Sequence, residues 1–454
     1  MNFKLFIKDK IGIDRAIFYT LLNRTLSIST AVFTIVFIIK FLSSDQQGYY
    51  YTFGSIVALQ VFFELGLTGI ITQFVAHEAA HLTLFDNGTI EGEYKYKSRL
   101  SSLIHFCAKW YSYISVALLA LLLIAGITFF SHYSDTDGTT NWEFPWILLS
   151  VGTVLNFLIT PIVSITEGMG RVKDIAKYRL ILQCFNPVII WGGLACELDL
   201  YVLGIFATFQ ALLMMVMIFN SPSGRLLKSF WNMDFTESIS YKNEIFPYQW
   251  RIAVSWISGY FIFQLFNPVL FATEGAVVAG QMGMTIQSLN AIQAFALAWI
   301  TTKVPRISGL IAQHEYEALD KLFNKTMKQL VCLGTLALIG FVATIYAFQS
   351  FDLQMMGMKI GGRFLPIIPL VLMVWSVFAM FPINCWAIYL RSHKKEPLMK
   401  NSMVMGILCC ISTFTCGHLW GLYGIVIGFA LLRIVSLVWV HRIYVIKRLE
   451  YRKK

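Results

Sequence analysis

From Ile17 to Phe41 the chain runs through 25 residues of which only Arg24 and Lys40 carry charge. At 1.5 Å rise per residue, a helix of that length crosses the roughly 30 Å of hydrocarbon in a bilayer. Runs of the same character recur to the end of the sequence and predict twelve spans, at 17–41, 48–76, 103–130, 146–167, 174–196, 200–220, 246–270, 275–302, 329–350, 364–390, 398–416 and 419–440. Each must be an α-helix, because inside hydrocarbon every backbone N–H and C=O has to be paired within its own segment. Composition agrees: 57% of residues are apolar and 13% charged, with a mean hydropathy of +0.65. A soluble domain is about one quarter charged, so this chain has too little polar surface to cover itself. The first run is too long for a secretory signal core and lacks a small-residue cleavage site, so it is expected to stay as a helix. Eight cysteines lie mostly within apolar runs and show no paired spacing, which argues against a disulfide scaffold.

The net charge of +11 bears on topology rather than on nucleic acid. Lys and Arg are retained on the cytoplasmic side of short loops. With the N-terminus inside, 28 of the 36 fall on inner segments, among them Lys95, Lys97, Arg99, Arg171, Lys303, Arg306 and Arg391. The outer loops hold only Lys359 and Arg363, beside Asp45, Glu143, Glu197, Asp199 and Glu274. Both termini are therefore expected in the cytoplasm, and no extracytoplasmic domain is expected.

A weak internal repeat adds a division into halves. Arg24 precedes Gly48 by 24 residues, Arg251 precedes Gly275 by 24, and on that register Gln60 falls on Gln287. Six spans per half make the repeat parallel, about an axis along the membrane normal. The expected fold is an all-α integral membrane protein with twelve transmembrane helices in two six-helix bundles around a central cavity. Residues 1–220 form the N-terminal lobe, 221–245 a cytoplasmic linker and 246–454 the C-terminal lobe. The stretch 307–330 has Leu319, Leu322, Phe323, Met327 and Leu330 at helical spacing and reads as an amphipathic connector on the membrane surface.

Six cations remain inside spans: Arg24, Lys40, Lys109, Arg179, Arg251 and Arg433. A central Arg costs about 2.5 to 3.5 kcal/mol to insert, so each needs a reason to be kept. Arg179 and Lys109 lie close enough to an inner boundary to snorkel to the head groups, and Arg179 reads alternatively as a further contact for the anion. Arg24 and Arg251 open the two halves at matching positions, and Arg433 lies at similar depth. Together they read as an anion trap for phosphate or carboxylate, since the planar guanidinium donates two parallel hydrogen bonds. Lys40, near the outer end of the first span, reads either as an interfacial anchor or as a second contact on the exit side. Glu64 is the one acidic residue near the middle of a span. It is expected either to pair with an arginine or to bind a coupling H⁺ or Na⁺. Gln60, Gln281, Gln287, Asn290 and Gln293 serve either as interhelical hydrogen bonds or as the wall of a sugar path.

The sequence has no Gly-Lys dipeptide and so no ATP phosphate-binding loop, and it has no zinc motif. Catalysis, cofactors and nucleic-acid partners are not expected.

Three segments carry a resemblance. They are Leu42-Ser-Ser-Asp-Gln-Gln-Gly-Tyr-Tyr-Tyr-Thr-Phe53, Ala58-Leu-Gln-Val-Phe-Phe-Glu-Leu-Gly-Leu67 with Gln73-Phe-Val-Ala-His-Glu78, and Val304-Pro-Arg-Ile-Ser-Gly-Leu-Ile-Ala312. The chain resembles bacterial Wzx-type O-antigen flippases of the multidrug/oligosaccharidyl-lipid/polysaccharide exporter superfamily. The resemblance implies alternating access and a cargo of undecaprenyl-pyrophosphate-linked oligosaccharide, carried from the cytoplasmic to the periplasmic leaflet of the bacterial inner membrane. It implies a polysaccharide polymerase and a chain-length regulator as partners, and it is similar to the lipid-linked precursor flippases in placing arginines, here Arg24 and Arg251, in the first and seventh helices. Drug-exporting relatives often carry an acidic residue in the first helix, where this chain has Arg24, and that departure implies an anionic cargo.

Two other readings stand beside this one. A multidrug antiporter of the same fold would need a cavity of net negative potential. A membrane glycosyltransferase or polymerase would need a large periplasmic catalytic loop.

Overall fold

The structure, a computed structural model, describes residues 15–134, 140–237, 239–351, 354–355, 358–393 and 395–452. Lys4, Lys8, Lys10, Asp135, Asp137, Asp352, Lys394, Lys453 and Lys454 lie outside them, as do the side chains of Lys242, Arg251 and Lys359.

The apolar runs are helical throughout. In chain order they are α1 (Arg15–Phe41), α2 (Ser44–Glu64), α3 (Leu67–Ala79), α4 (Tyr94–Tyr133), α5 (Glu143–Thr166), α6 (Val172–Ala195) and α7 (Tyr201–Phe219). There follow α8 (Pro222–Trp231), α9 (Phe246–Phe263), α10 (Phe266–Glu274), α11 (Ala276–Thr301), α12 (Val304–Ala312), α13 (Tyr316–Ser350), α14 (Ile367–Ser392) and α15 (Met399–Arg452). Two small antiparallel hairpins, Leu82–Leu84 with Ile90–Gly92 and Gln354–Met355 with Met358–Lys359, complete the described elements.

Among the described residues, eight helices are long and apolar enough to cross a membrane, and nine if the bent pair α2–α3 forms one span. Two stretches are too long for one crossing: Glu143–Ala195 has 53 residues and α15 has 54, or about 80 Å of helix. Each holds one glycine with left-handed φ, Gly170 at 83° and Gly421 at 55°. At Gly421 the carboxylate of Glu274 accepts the Leu422 N–H at 3.1 Å and so caps the following helix. The reversal lies a few residues beyond the Gly417-His418 point expected from sequence. The expected eighth span, α11, is not among the eight, because Gln281, Gln287, Asn290 and Gln293 lower its hydropathy.

The chain divides into two compact units, 1–30 with 57–132 and 139–256, and 31–56 with 133–138 and 257–454. Residues 31–56 fall with the second unit because of their hydrogen bonds. Gln47 donates to Gly280 O at 2.8 Å and to Arg363 O at 3.0 Å, Arg363 donates to Leu42 O at 2.6 Å, and Asn267 donates to Ser55 Oγ at 3.2 Å. Gly48 allows this approach, since a Cβ there would lie 2.0 Å from Ala276 O.

In the first unit the 232–245 segment is laced to a serine face of α4. Ser98 accepts N–H bonds from Thr236 and Glu237, Ser101 donates to Phe230 O and Met233 O, and His105 stacks on Trp231 at 4.2 Å. Arg99 bridges buried Glu78 (3.0 Å) and Glu244 (2.8 Å) beneath it.

In the second unit the 307–330 stretch departs from the surface connector expected. Residues 304–312 form the separate helix α12, whereas 316–330 run on unbroken into the ninth span. The apolar face of this part is covered by protein: Leu319, Phe323 and Leu330 are fully buried, and Phe323 packs on Tyr389 at 5.0 Å. Asp320 meanwhile receives Arg448 at 2.7 Å and also Arg452.

Candidate functional site

In the first unit, Glu64 is the last residue of α2. The next two residues, Leu65 and Gly66, take left-handed φ of 48° and 69°, so the helix cannot continue, and the chain resumes as α3 bent by 43°. Gly66 is required there, because a Cβ would fall 2.3 Å from Ile252 Cγ2. Leu65 has no such freedom and stores about 1 to 2 kcal/mol of strain. A break at this depth is tolerable where it lines a polar cavity.

Such a cavity is present, with a volume of about 590 Å³. Its wall includes Asn23, Glu64, Thr68, Thr72, Asn156, Thr160, Ser164, Glu167, Arg179 and Gln183. Thr68 donates its hydroxyl proton to Glu64 Oε1 at 2.7 Å. Arg179 Nη1 pairs with Glu167 Oε1 at 2.7 Å, which leaves Glu64 without an ion pair among the described residues. Two carboxylates against one guanidinium give the wall a formal charge of −1.

The neutral groups push the same way. Thr72, Thr160 and Ser164 donate to carbonyls of their own helices at 2.9 to 3.1 Å, and Asn156 Nδ2 donates to Gly152 O (2.9 Å) and Ala207 O (2.7 Å). Gln183 Nε2 donates to Thr30 at 2.8 Å. With these protons engaged, the carboxylate and hydroxyl oxygens keep lone pairs to offer, beside the amides of Asn23 and Gln210. An acceptor-rich wall with net negative charge suits a proton or a hard cation.

Among the described residues, Arg179 is the one expected anion contact that lines this cavity. Arg24 is exposed on α1, one residue beyond the lining Asn23. Arg251 lies on α9, and its side chain is outside the described residues. In the second unit, the Lys40 ammonium stands 5.0 Å from the Phe41 ring centroid. Arg433 is also in that unit, on α15, at 6% exposure between the rings of Phe429 (4.4 Å) and Phe263 (5.2 Å). Its Nε and Nη2 are buried without hydrogen-bond partners. Two ring faces partly offset the loss of water, but unpaired donors remain and call for an anion.

The amides divide between structural and available roles. Gln281 donates to Gly362 O at 2.9 Å, and Gln287 accepts the Tyr51 hydroxyl. Asn290 is exposed, and Gln60 and Gln293 are half-buried. Sequence reasoning missed Thr68, although a Thr one helical turn after a carboxylate is a readable signal. It also missed the Glu167–Arg179 pair.

No family model matches the chain, and no curated protein matches it either. Solved structures do. An inward-facing multidrug resistance MATE transporter of the MOP superfamily aligns with TM-score 0.59 at 13% identity, covering 97% of each chain. The lipid II flippase MurJ, in an inward closed conformation, aligns with TM-score 0.60 at 13% identity, covering 93% of this chain and 86% of that one. A Vibrio cholerae MATE transporter gives 0.54 at 13% identity over 96% and 97%. The chain therefore has the fold of the MOP superfamily transporters and is a multi-pass membrane protein.

Proposed function

We propose that this protein is a cation-coupled flippase of undecaprenyl-pyrophosphate-linked oligosaccharide. It works by alternating access in a bacterial inner membrane, with twelve spans and both termini cytoplasmic. Counting each half of the two long helical stretches separately, and adding α11, brings the crossings to twelve. The observation that carries the reading is the segregation of charge. The Glu64 cavity is negative and acceptor-rich, while the unpartnered cation Arg433 lies elsewhere, in the second unit. Glu64 and Thr68 hold the coupling H⁺ or Na⁺. Arg24 and Arg251 in the first unit and, separately, Arg433 in the second are assigned to the anionic cargo, Lys40 assists at the outer end, and Gln60, Asn290 and Gln293 are left to face sugar. A pyrophosphate moving outward gains about 2.3 kcal/mol per charge per 100 mV, and the coupling cation adds to that. No chemical step is involved. A polymerase and a chain-length regulator would act on the delivered units.

The negative wall of the Glu64 cavity also favours a second reading, a multidrug antiporter in which that cavity takes an organic cation. The two readings are separated in a host whose surface polysaccharide depends on this protein. On the flippase reading, Arg24→Ala or Arg251→Ala abolishes the polysaccharide at normal protein abundance, and Arg→Lys at either position retains part of it. Full polysaccharide in both alanine variants would remove the anion-binding assignment.

A further inference from the structure

A second cavity, of about 550 Å³, opens in the second unit between α12 and the C-terminal end of α14. Its two walls are helical stripes. Val304, Ile311 and Ala312 lie on one face of α12 at i, i+7 and i+8, and Ile388, Arg391 and His393 come from the last turn of α14 and its cap. The lining is thus mostly apolar, with Ser308 and Ser392 between, and Arg391 is its charged group.

The Arg391 end is incompletely satisfied. His393 Nδ1 donates its proton to Tyr389 O at 3.0 Å, so the buried Nε2 of the neutral ring keeps a lone pair and offers nothing to an anion. Glu396 occupies Nε (2.7 Å) and Nη2 (3.2 Å) of Arg391, which leaves Nη1 without a partner among the described residues. Other positive charge is close by. Lys303 and Arg306 are exposed at the start of α12, and Lys395 and Arg452 help burial hold the His393 ring below its ordinary value. Amphipathic α12 follows the polar span α11 on the side that the lysine and arginine pattern assigns to the cytoplasm, which sets the cavity at the lipid head-group boundary.

We infer that this cavity is a seat for one acidic phospholipid of the cytoplasmic leaflet, its phosphate on the Arg391 guanidinium and its upper acyl chain along Val304, Ile311, Ala312 and Ile388. A zwitterionic lipid offers the same chains, but its own cation would meet the basic end. Free phosphate offers the charge but nothing for the apolar walls. The site is independent of the cargo assigned above.

The test is native mass spectrometry of the delipidated full-length protein in detergent, titrated with phosphatidylglycerol, phosphatidylcholine or inorganic phosphate. One phosphatidylglycerol is expected to be retained about tenfold more tightly than phosphatidylcholine. Arg391→Gln should remove that preference. Ala312→Trp, which fills the groove without touching the charges, should weaken the tight lipid site about tenfold. Both variants should keep the wild-type Tm in lipid-free detergent. Equal retention of the two lipids, or an unchanged preference in Arg391→Gln, would overturn the assignment. So would competition by inorganic phosphate at the same concentration as the lipid.

Discussion

The Thr68 hydroxyl donates to Glu64 Oε1 at 2.7 Å across a helix break that holds two successive left-handed residues. The break turns a mid-span carboxylate away from the helix and into a cavity whose one guanidinium, Arg179, is already engaged by Glu167. A carboxylate in that position binds a proton or a cation, or carries an unbalanced charge.

Glu64→Gln is therefore expected to lower transport at least tenfold and to abolish its dependence on pH or Na⁺, with abundance unchanged. Thr68→Val should weaken the ion dependence without removing it. Dependence identical to wild type in Glu64→Gln, measured across a pH or Na⁺ series, would make Glu64 a structural residue.

Arg433 gives a test that separates role from stability. Replacing a buried charge by an apolar side chain of similar volume is neutral or stabilising by about 1 to 4 kcal/mol. Arg433→Met should hold or raise the Tm while transport falls at least tenfold, and Arg433→Lys should recover part of the rate. A lower Tm with normal specific transport would show that the Phe263–Arg433–Phe429 stack is only scaffolding.

The break itself can be altered. Gly66→Ala meets both a positive φ and a contact of 2.3 Å with Ile252 Cγ2, so it should cost about 1 to 3 kcal/mol, read as a Tm several degrees lower. Leu65→Gly removes the left-handed penalty and should raise the Tm.

How far the sequence already showed these features follows from what each depends on. Long apolar runs and loop cations carry their own signal, so most helices fall where they were expected, whereas the short helices α8 and α12 lie in stretches read as linker and connector. The breaks do not. The space at the Leu65–Gly66 break is closed by Ile252 and Trp256, which stand against Gly66 from nearly 190 positions away. The tie between 232–245 and α4 depends on Ser98, Ser101 and Ser102, which in sequence look like ordinary helix polar residues. Glu64 was legible because one carboxylate stands out in an apolar span. Its partner, Thr68, and the Glu167–Arg179 pair needed the fold.

The Glu78–Arg99–Glu244 bridge should respond to acid. Burial raises the Glu244 carboxyl, but the Ser240 N–H and Arg99 outweigh it and hold the group below the ordinary value of 4.5. Because the folded value is the lower one, its contribution is complete above the unfolded value and is lost as pH falls through the folded one. The Tm gap between wild type and Glu244→Gln should be constant from neutral pH to about pH 5 and should narrow below that. Arg99→Ala should cost more, about 3 to 5 kcal/mol, since Glu78 at 3% exposure would be left without a counter-charge.

The most direct test reconstitutes the purified protein in proteoliposomes with a fluorescent undecaprenyl-pyrophosphate oligosaccharide on one leaflet and follows its crossing under an imposed membrane potential and ion gradient. The account predicts transfer that accelerates when the destination side is positive, that depends on the ion gradient in wild type and that loses this dependence in Glu64→Gln. Absence of lipid transfer, with gradient-driven export of a quaternary ammonium dye by the same vesicles, would contradict it.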